Sequence, residues 1–386
     1  MTEFLNYENL TWPEVEALPR DLPLILPFGN AYPIDQIAHL LGNPTRIGLL
    51  PSIPFGWYGS GLQVTDPILG SIVNNLISSL QEDGFTRVFL LTPPDIQFDP
   101  STHQIQLPDS ESRFQARDLP PDDQKEKVII FPIGHTEQHG CHLPLSTDTL
   151  IIEAIGRKTA QATGSSAFCM PAMPYGVSTH RSSFAGTLNS GGRAFEDFWL
   201  NIIDALVKRG FARFYLISGH GGNCSFLVNV IKYAGERYPD IFCATASLYL
   251  TGSEGIASVQ KYRQSAIGGM GHACELETSL ILFLRPELVH MERVVDEINF
   301  IATPSYYMDW VDGGPLVANP PWDDDTLTGA YGAGSLATSQ KGAIWLQAAI
   351  NEKSGHIAEI HEQFNRRRAA RLNKPSTRFV RRLASN

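Results

Sequence analysis

The chain has 386 residues, a net charge of −10, 43% hydrophobic residues and 18% charged residues. This is the composition of an ordinary globular protein, and its acidic balance argues against a nucleic-acid-binding protein, which would present a basic face. No apolar run is long enough to cross a membrane, and the N-terminus lacks the basic start and apolar core of a signal peptide. The cysteines are scattered without CxxC spacing, which fits a reducing compartment, so we expect a soluble, cytoplasmic protein.

Two globular stretches, residues 1–98 and 128–386, flank a polar segment rich in Asp and Pro, residues 99–127, which is predicted to be a linker. In the second stretch, apolar runs that predict strands are VIIFPIG, SSAFCMPAMPYG, FARFYLISG and CATASLYL. Helical patterns are TDTLIIEAIGRKTAQA with Thr147 as N-cap, RAFEDFWLNIIDALVKRG, GGNCSFLVNVIKYAGERY, CELETSLILFL and QKGAIWLQAAINEKSGHIAEIHEQFNRRRAARL. This alternation favours an α/β fold with a mainly parallel sheet covered by helices on both faces. The chain closes on a basic tail, residues 366–382, interpreted as a solvated helix end or a subunit contact.

The first stretch repeats fragments of the second in the same order. Residues 25–30 (ILPFGN) parallel 130–135 (IFPIGH), residues 51–60 (PSIPFGWYGS) parallel 171–180 (PAMPYGVSTH), and residues 83–94 (DGFTRVFLLTPP) parallel 209–220 (RGFARFYLISGH). Pro-Gly turns shared by unrelated α/β segments are the alternative explanation. Three ordered matches favour duplication of a structural unit, so residues 1–98 are predicted to form an α/β half-domain.

The densest group of chemistry-bearing residues is FPIGHTEQHGCHLPLSTDT. Glu137 and His139 are two residues apart, so an extended backbone would project both side chains to one face. Asp148 follows at the start of a predicted helix, where an acid could merely serve the helix N-terminus, and His139 and His142 could each be ordinary loop histidines. Together, however, a mixed set of carboxylates and imidazoles suits Zn²⁺, Mn²⁺ or Fe²⁺, and the cluster predicts a metal site.

SGHGGN, residues 218–223, follows a predicted strand and opens a predicted helix. Ligands of open α/β sheets gather at the carboxyl ends of strands. A glycine-rich turn of this kind could instead hold phosphate at the helix N-terminus. No lysine follows as in a P-loop, and His220 suits a metal better.

GHACELETS, residues 271–279, contributes a further histidine and two glutamates. His272 and Glu275 are three residues apart and are predicted to share one face of a helix. Glu275 lies next to the apolar LILFL run, where an unpaired charge would be costly to bury, and a metal would supply its partner. Glu277 is expected to point elsewhere, in a capping or pairing role.

The segments EQHGCHLPLSTDT, PYGVSTHRSSFAGTL, SGHGGN and GHACELETSLILFLRPEL resemble, in order, the diagnostic segments of the creatininase (creatinine amidohydrolase) family. GAYGAGSLATSQKG resembles that family's late glycine-rich segment, so the resemblance covers about residues 128–350. It implies a three-layer αβα sandwich and a dinuclear site with two divalent metal ions that hydrolyses C–N bonds of amides, often cyclic ones. It also implies a small-molecule substrate and a homo-oligomer, commonly a hexamer.

The resemblance also implies a set of site residues in this sequence. The implied metal ligands are Glu137, His139, Asp148 and His220. Glu275 is the candidate fifth ligand, because the glutamate that creatininase carries two residues past the SGH histidine is Gly222 here. His272 matches the family's acid/base histidine, and Ser178 its substrate-side serine.

The substrate-side segments depart from the family pattern. The candidate substrate-binding residues are Tyr175, His180, Arg181 and Gly221. Many relatives continue PYGVS with Pro-Glu-His, where this chain has Thr-His-Arg, and Gly221 replaces a tyrosine of creatininase. The sequence therefore argues against creatinine as the substrate, and Arg181 would suit a carboxylate or phosphate on another one.

The sequence thus predicts a metal-dependent amidohydrolase acting on a cyclic amide, a formamide or a related small molecule. Two alternatives stay open: a hydrolase of a non-amide ring or C–C bond on the same site, and a non-catalytic binding or assembly protein. The predicted half-domain keeps the repeated segments but lacks the residues that would bind metal. Tyr32, Ile34 and Pro94 stand opposite Glu137, His139 and His220. Residues 1–98 are therefore predicted to bind no metal.

Overall fold

The structure, a computed structural model, describes residues 1–30, 32–93, 96–98, 102–107, 119–179, 183–246 and 248–373. Its strands form two parallel sheets and one short antiparallel pair. This confirms the predicted α/β class. None of the helices in the described part of the chain is both long and apolar enough to span a membrane.

The N-terminal unit is built on the first sheet. Its elements are β1 (Glu3–Asn6), α1 (Trp12–Glu16), β2 (Leu24–Pro27), α2 (Ile34–Leu40), β3 (Arg46–Leu49), α3 (Asp66–Glu82), β4 (Val88–Leu91) and β5 (His103–Ile105). The strands pair in parallel in the order β1-β3-β2-β4-β5. Residues 99–127, predicted to be a linker, therefore contribute the edge strand β5, whose short apolar alternation is obscured by the polar residues around it.

The second unit is built on the second sheet. Its elements are β6 (Val128–Ile133), α4 (Thr147–Thr163), β7 (Ala167–Cys169), α5 (Gly192–Lys208), β8 (Arg213–Ser218), α6 (Cys224–Arg237), β9 (Phe242–Thr245), α7 (Ser253–Tyr262), β10 (Met270–His272), α8 (Glu275–Leu284), β11 (Tyr331–Gly332) and α9 (Ser339–Leu372). The parallel strands run in the order β7-β6-β8-β9, and β10 pairs with β11 as the antiparallel pair. The N-cap of α4 is Ser146, one residue before the predicted Thr147.

Helices cover both faces of the second sheet. Along β6, Val128 and Ile130 face one hydrophobic core, and Ile129, Phe131 and Ile133 face the other. The first core packs against α4, α8 and α9, and the second packs against α5. Every residue of β6 and β8 is buried, which explains why their sequences are continuous apolar runs rather than alternating ones.

The two units share a strand order and a bonding pattern. The order β3-β2-β4-β5 of the first sheet corresponds to β7-β6-β8-β9 of the second. Gly29 N–H donates to the Ile53 carbonyl at 2.9 Å, and Gly134 N–H donates to the Met173 carbonyl at 2.9 Å. These pairs fall within the sequence segments that repeat. The duplication itself stays a prediction.

Candidate metal centre

Predicted site residues from distant parts of the chain meet at the carboxyl edge of the second sheet. Glu137 and His139 follow β6, Asp148 lies in the first turn of α4, and His220 follows β8. All four are buried. The backbone at Gly219 comes so close to α4 that a Cβ there would lie 2.3 Å from the Asp148 carbonyl oxygen. A glycine at this position is what allows β8 and α4 to bring His220 and Asp148 together.

Asp148 lies between two histidines. Its Oδ1 is 3.1 Å from Nε2 of His139, and its Oδ2 is 3.3 Å from Nδ1 of His220. Nδ1 of His220 is also 2.9 Å from Oε1 of Glu137. The Asp148 carboxylate thus contacts two neighbouring groups of possible ligand atoms, one at His139 and one at His220 and Glu137.

Backbone carbonyls fix which nitrogen of each ring faces the carboxylates. Nδ1 of His139 lies 3.1 Å from the Glu137 carbonyl, and Nε2 of His220 lies 3.0 Å from the Val177 carbonyl. A carbonyl only accepts, so these nitrogens carry the protons. In the neutral rings the other nitrogen, which faces Asp148, has a lone pair. Two lone pairs directed at a carboxylate repel it unless a cation lies between them or the rings are protonated.

The electrostatics of the cluster favour a cation. Burial disfavours a charged ring, but the Glu137 and Asp148 carboxylates raise the pKa of His220 to about 9. Burial also works against the charge of Asp148, yet the His139 and His220 rings hold the pKa of that carboxyl well below its usual range. Buried carboxylates are stable only with a positive partner, which a divalent ion would supply. The residues present therefore fit a metal.

Glu277, rather than Glu275, joins this cluster. The Glu277 Oε1 lies 3.9 Å from Nε2 of His139, and His139, Asp148 and Glu277 form a group with metal-ligand spacing. The Glu275 carboxylate instead pairs with Lys341 and accepts backbone N–H groups of Gln264 and Ser265.

The prediction that His272 and Glu275 share one face of a helix is wrong, and the cause is structural. His272 lies in β10, Ala273 adopts a positive φ of 50°, and α8 begins only at Glu275, so His272 and Glu275 do not share a helix face. Glu277 does fill the predicted capping role, because its carboxylate accepts the Cys274 N–H. A Cβ on Gly222 would lie 2.4 Å from Nε2 of His220, so no side chain fits at that position.

His135 is a site residue that the sequence analysis missed. It lies within ligand distance of Glu137 and His220. Its Nδ1, however, accepts the Gly176 N–H at 3.0 Å, so a neutral ring carries its proton on Nε2, which lies 3.8 Å from Oε2 of Glu137. This geometry suits a residue that orients Glu137 better than a ligand. Its position two residues before Glu137 was the available signal.

His272 presents one nitrogen to the cluster. Its Nε2 donates to the Gln138 carbonyl at 2.7 Å, and its Nδ1 lies 3.8 Å from Oε1 of Glu137. Gln138 is itself fixed by a hydrogen bond to the Gly329 carbonyl. Trp322 lies edge-on to the His272 ring, with centroids 5.0 Å apart. The hydrogen bond to the Gln138 carbonyl and the contact with Trp322 therefore fix the orientation of the His272 ring, with Nδ1 facing the cluster.

The predicted substrate-side residues divide into three groups. Gly221 lines the cavity above the cluster. Ser178 is buried, and its neighbours in sequence, Val177 and Thr179, line the same cavity. Its Oγ has no hydrogen-bond partner among the described residues. Tyr175 is not at this cavity: it is buried, and its hydroxyl donates to the Pro51 carbonyl of the N-terminal unit. The interpretation of Tyr175 as a substrate contact is therefore wrong. His180 and Arg181 lie outside the described residues.

The cavity above the cluster has a volume of about 840 Å³. Its floor carries Glu137, Asp148, His220 and Glu277, and its walls include Trp310 and Trp322. It is a concave, mostly apolar site with a few convergent polar groups, the usual character of a small-molecule site.

Comparisons with known proteins agree with this site. The family model described as "Creatininase: Creatinine amidohydrolase" matches residues 112–357. Creatinine amidohydrolase of Pseudomonas putida is 28% identical over 257 residues, 61% of this chain and 90% of that protein. The 3-dehydro-scyllo-inosose hydrolase of Thermotoga maritima is 28% identical over 261 residues, 61% of this chain and 78% of that protein. Mycofactocin precursor peptide peptidase of Mycobacterium ulcerans is 33% identical over 177 residues, 43% of this chain and 62% of that protein.

Solved structures give the same result. A putative creatinine amidohydrolase from Bacteroides fragilis superposes with a TM-score of 0.51 at 27% identity, covering 61% of this chain and 90% of that one. The structure named "Creatininase Mn" gives a TM-score of 0.51 at 27% identity, covering 63% and 94%. The family model spans more than half of the chain and includes every residue of the cluster. The chain belongs to the creatininase family.

Proposed function

We propose that this protein is a metal-dependent amidohydrolase that cleaves a C–N amide bond of a substrate other than creatinine. The observation that carries the proposal is that the two carboxylate oxygens of Asp148 face different histidines, His139 and His220, in a buried, carboxylate-rich cluster. This arrangement suits two divalent ions that share one carboxylate. The names of two relatives, an amidohydrolase and a peptide peptidase, support an amide as the bond that is cleaved.

Two groups of residues would hold the metals, for which Zn²⁺, Mn²⁺ and Fe²⁺ are the candidates. Glu137, Asp148 and His220 would hold one ion, and His139, Asp148 and Glu277 the other. Bound divalent ions supply Lewis acidity, which acidifies water and polarises a carbonyl. His135 would keep Glu137 in place by facing it with an N–H group.

His272 would move the proton. Its Nε2–H donates to the Gln138 carbonyl, so Nδ1, which faces the cluster, is the nitrogen that would take a proton and give it to the leaving nitrogen. The Trp322 edge against the ring limits the access of water to this nitrogen. Ser178 would supply a hydroxyl on the substrate side.

Metal and activity should be lost together. Because Glu137 and His139 belong to different ligand groups, Glu137→Ala and His139→Ala should each lower the bound metal below two ions per chain and remove hydrolysis. The measurements are elemental analysis of the purified full-length protein and release of a free amine from a panel of cyclic amides and formamides. Full activity after chelator treatment and metal removal would refute the proposal.

The same assays should distinguish the role of His272 from that of the proposed metal ligands. His272→Asn should keep two metals per chain and lower kcat by roughly 100- to 10,000-fold, the range of general acid–base catalysis. The measurements are metal content and kcat on whichever amide the wild-type protein cleaves. Loss of a metal from this variant would instead make His272 a ligand.

A second candidate function comes from one relative, the 3-dehydro-scyllo-inosose hydrolase of Thermotoga maritima. Product analysis separates the two, because amide cleavage releases an amine and ring opening of a carbocycle does not. The homo-oligomeric state and the cytoplasmic location remain predictions.

We also propose that residues 1–98 are a metal-free half-domain that covers and supports the catalytic unit. Within the described part of the chain, the groups with metal-ligand spacing all lie between His135 and Glu277. In the sequence correspondence of the predicted repeat, Tyr32 and Ile34 stand opposite Glu137 and His139. Metal that persists in a full-length chain carrying alanine at Glu137, His139, Asp148, His220 and Glu277 would contradict this.

A further inference from the structure

A second cavity adjoins the one above the metal cluster. It has a volume of about 200 Å³, and it shares Met308, Val317 and Ala318 with the larger cavity. The described residues that line it are apolar, aromatic or glycine, with no charged side chain among them. A dry apolar cavity of about 150 Å³ is enough to bind benzene, so this one has room for a phenyl ring.

Aromatic rings connect the two cavities. Phe300 and Tyr331 stack with centroids 3.7 Å apart and an interplanar angle of 10°, which makes a flat wall in the second cavity. Tyr331 packs on Trp322 at 4.5 Å, and Trp322 contacts the His272 ring. A continuous aromatic surface therefore leads from the proton-transfer residue to the second cavity.

The mouth of this cavity leaves large apolar side chains in water. Val317 is 89% exposed, Ile301 68% and Leu316 58%. Apolar surface clustered beside a concave site is typical of a surface that a ligand covers. Since Met308, Val317 and Ala318 line both cavities, a ligand group in the second cavity would lie beside the cavity above the metal cluster.

We propose that this second cavity binds a phenyl-sized apolar substituent of the substrate, so that the substrate is an amide with an apolar or aromatic group beside the scissile bond. The inference rests on the proposed amidohydrolase function, because it takes the larger cavity as the place of reaction. A compact polar ring would leave the second cavity and its exposed rim uncovered. Val317, Leu316 and Met308 would then determine specificity.

Hydroxamates test the subsite without knowledge of the substrate. The probes are acetohydroxamate, phenylalkyl hydroxamates with two to four methylenes, and an alkyl hydroxamate ending in a carboxylate. Each would be titrated calorimetrically into the metal-loaded, full-length protein. The best phenylalkyl hydroxamate should bind roughly 10- to 50-fold more tightly than acetohydroxamate, from the apolar area that it buries. The carboxylate-ended probe should gain nothing.

Two exposed positions give matched variants. Val317→Asp places a charge where the linings of the two cavities meet and should remove most of the advantage of the phenylalkyl hydroxamates over acetohydroxamate. Leu327→Asp changes a leucine that is 87% exposed and lines neither cavity, and it should keep the full advantage. Both side chains are largely in solvent, so neither change should unfold the protein.

The outcomes separate the two proposals. If acetohydroxamate binds but every tail binds equally well, or if Val317→Asp and Leu327→Asp behave alike, the apolar subsite is wrong and the metal site stands. If no hydroxamate binds the metal-loaded protein, the proposed metal-dependent function is wrong, and the apolar subsite, which rests on it, is withdrawn with it.

Discussion

Glu275 and Glu277 lie two residues apart in the first turn of α8, and their carboxylates have different partners. Glu277 faces His139 at the metal cluster. Glu275 is buried against the ammonium group of Lys341, which also donates to Gln264 and to the Leu336 carbonyl. One glutamate thus lies in the candidate metal centre, and the other ties the start of α9 to α8.

Exchanging each glutamate for glutamine should separate these roles. Glu277→Gln should lower metal content from two ions toward one per chain, because an amide is a far weaker ligand than a carboxylate, with little change in stability. Glu275→Gln should keep both metals and lower the free energy of unfolding by about 3 kcal/mol, since it leaves Lys341 buried without its counter-charge. Elemental analysis and urea unfolding of the two variants check this, each serving as the other's control. Metal loss from Glu275→Gln at unchanged stability would return Glu275 to the ligand set.

The histidines near Glu137 show how far sequence can go at this scale. The segment predicted a metal site because acids and histidines cluster there among glycines and prolines, and the structure brings these side chains together in groups with metal-ligand spacing. It did not assign individual roles. His139 faces Asp148, His135 faces Glu137 with a protonated nitrogen, and Nε2 of His142 lies 2.9 Å from the Thr278 hydroxyl. These roles depend on which group holds the second ring nitrogen. For His139 that group is the nearby Glu137 carbonyl, but for His135 it is the N–H of Gly176, from a segment distant in sequence.

At the level of elements, the turn after β8 sets the distance between strand and helix. A Cβ on Gly219 would meet the Asp148 carbonyl at 2.3 Å, whereas a Cβ on Gly221 would have nothing within 4 Å. The first glycine is required by the close approach of α4. The second lines the cavity and has no packing requirement of its own.

A pair of alanine substitutions should therefore differ in effect. Gly219→Ala should lower the free energy of unfolding by roughly 1–3 kcal/mol, the usual cost of overpacking, and should weaken metal binding because it pushes Asp148 away from His220. Gly221→Ala should leave stability and metal content unchanged. Thermal unfolding and metal titration of both variants test this. Equal stability of the two would mean that the turn yields without moving α4.

Elements were predictable where one periodic signal ran long enough. The apolar runs of β6 and β8 and the amphipathic α5 were predicted from sequence and are confirmed. The short β5 was missed inside an apparent linker, because pairing with β4 stabilises it more than its own composition does. The placement of His272 on a helix failed because the positive φ of Ala273 interrupts the backbone, and nothing in an alanine predicts that.

For the whole molecule, the N-terminal unit and the catalytic unit share one hydrophobic core. α3 packs against α5, the helix at the corresponding position of the second unit, and Phe55 stacks on Phe198 with centroids 6.1 Å apart. Polar contacts surround this core: Asn75 donates to the Ser190 carbonyl at 2.8 Å, and Gly186 N–H donates to Asp83 at 2.8 Å. The shared core predicts that the two units unfold together.

Asp83 should make this contact between the units sensitive to pH. Burial at the end of α3 raises the pKa of its carboxyl from 3.8 to about 6, against the opposing effect of the Gly186 hydrogen bond. Between these two values the folded chain holds a proton that the unfolded chain has released, so the contribution of Asp83 to stability falls as pH rises through this window. Above about pH 6 the loss is complete.

Asp83→Asn should therefore be more stable than the wild-type protein at pH 8, by about 1 kcal/mol after allowance for partial exposure, because the amide still accepts from Gly186 and carries no charge. The difference should shrink as the pH falls toward 4, where the carboxyl of the folded wild-type protein is protonated and therefore uncharged like the amide. Urea unfolding across this range measures it, and Glu82→Gln, which neutralises the exposed acid next in sequence, is the matched control. A pH-independent difference, or the same difference in Glu82→Gln, would mean that net charge rather than burial of Asp83 between the units is responsible.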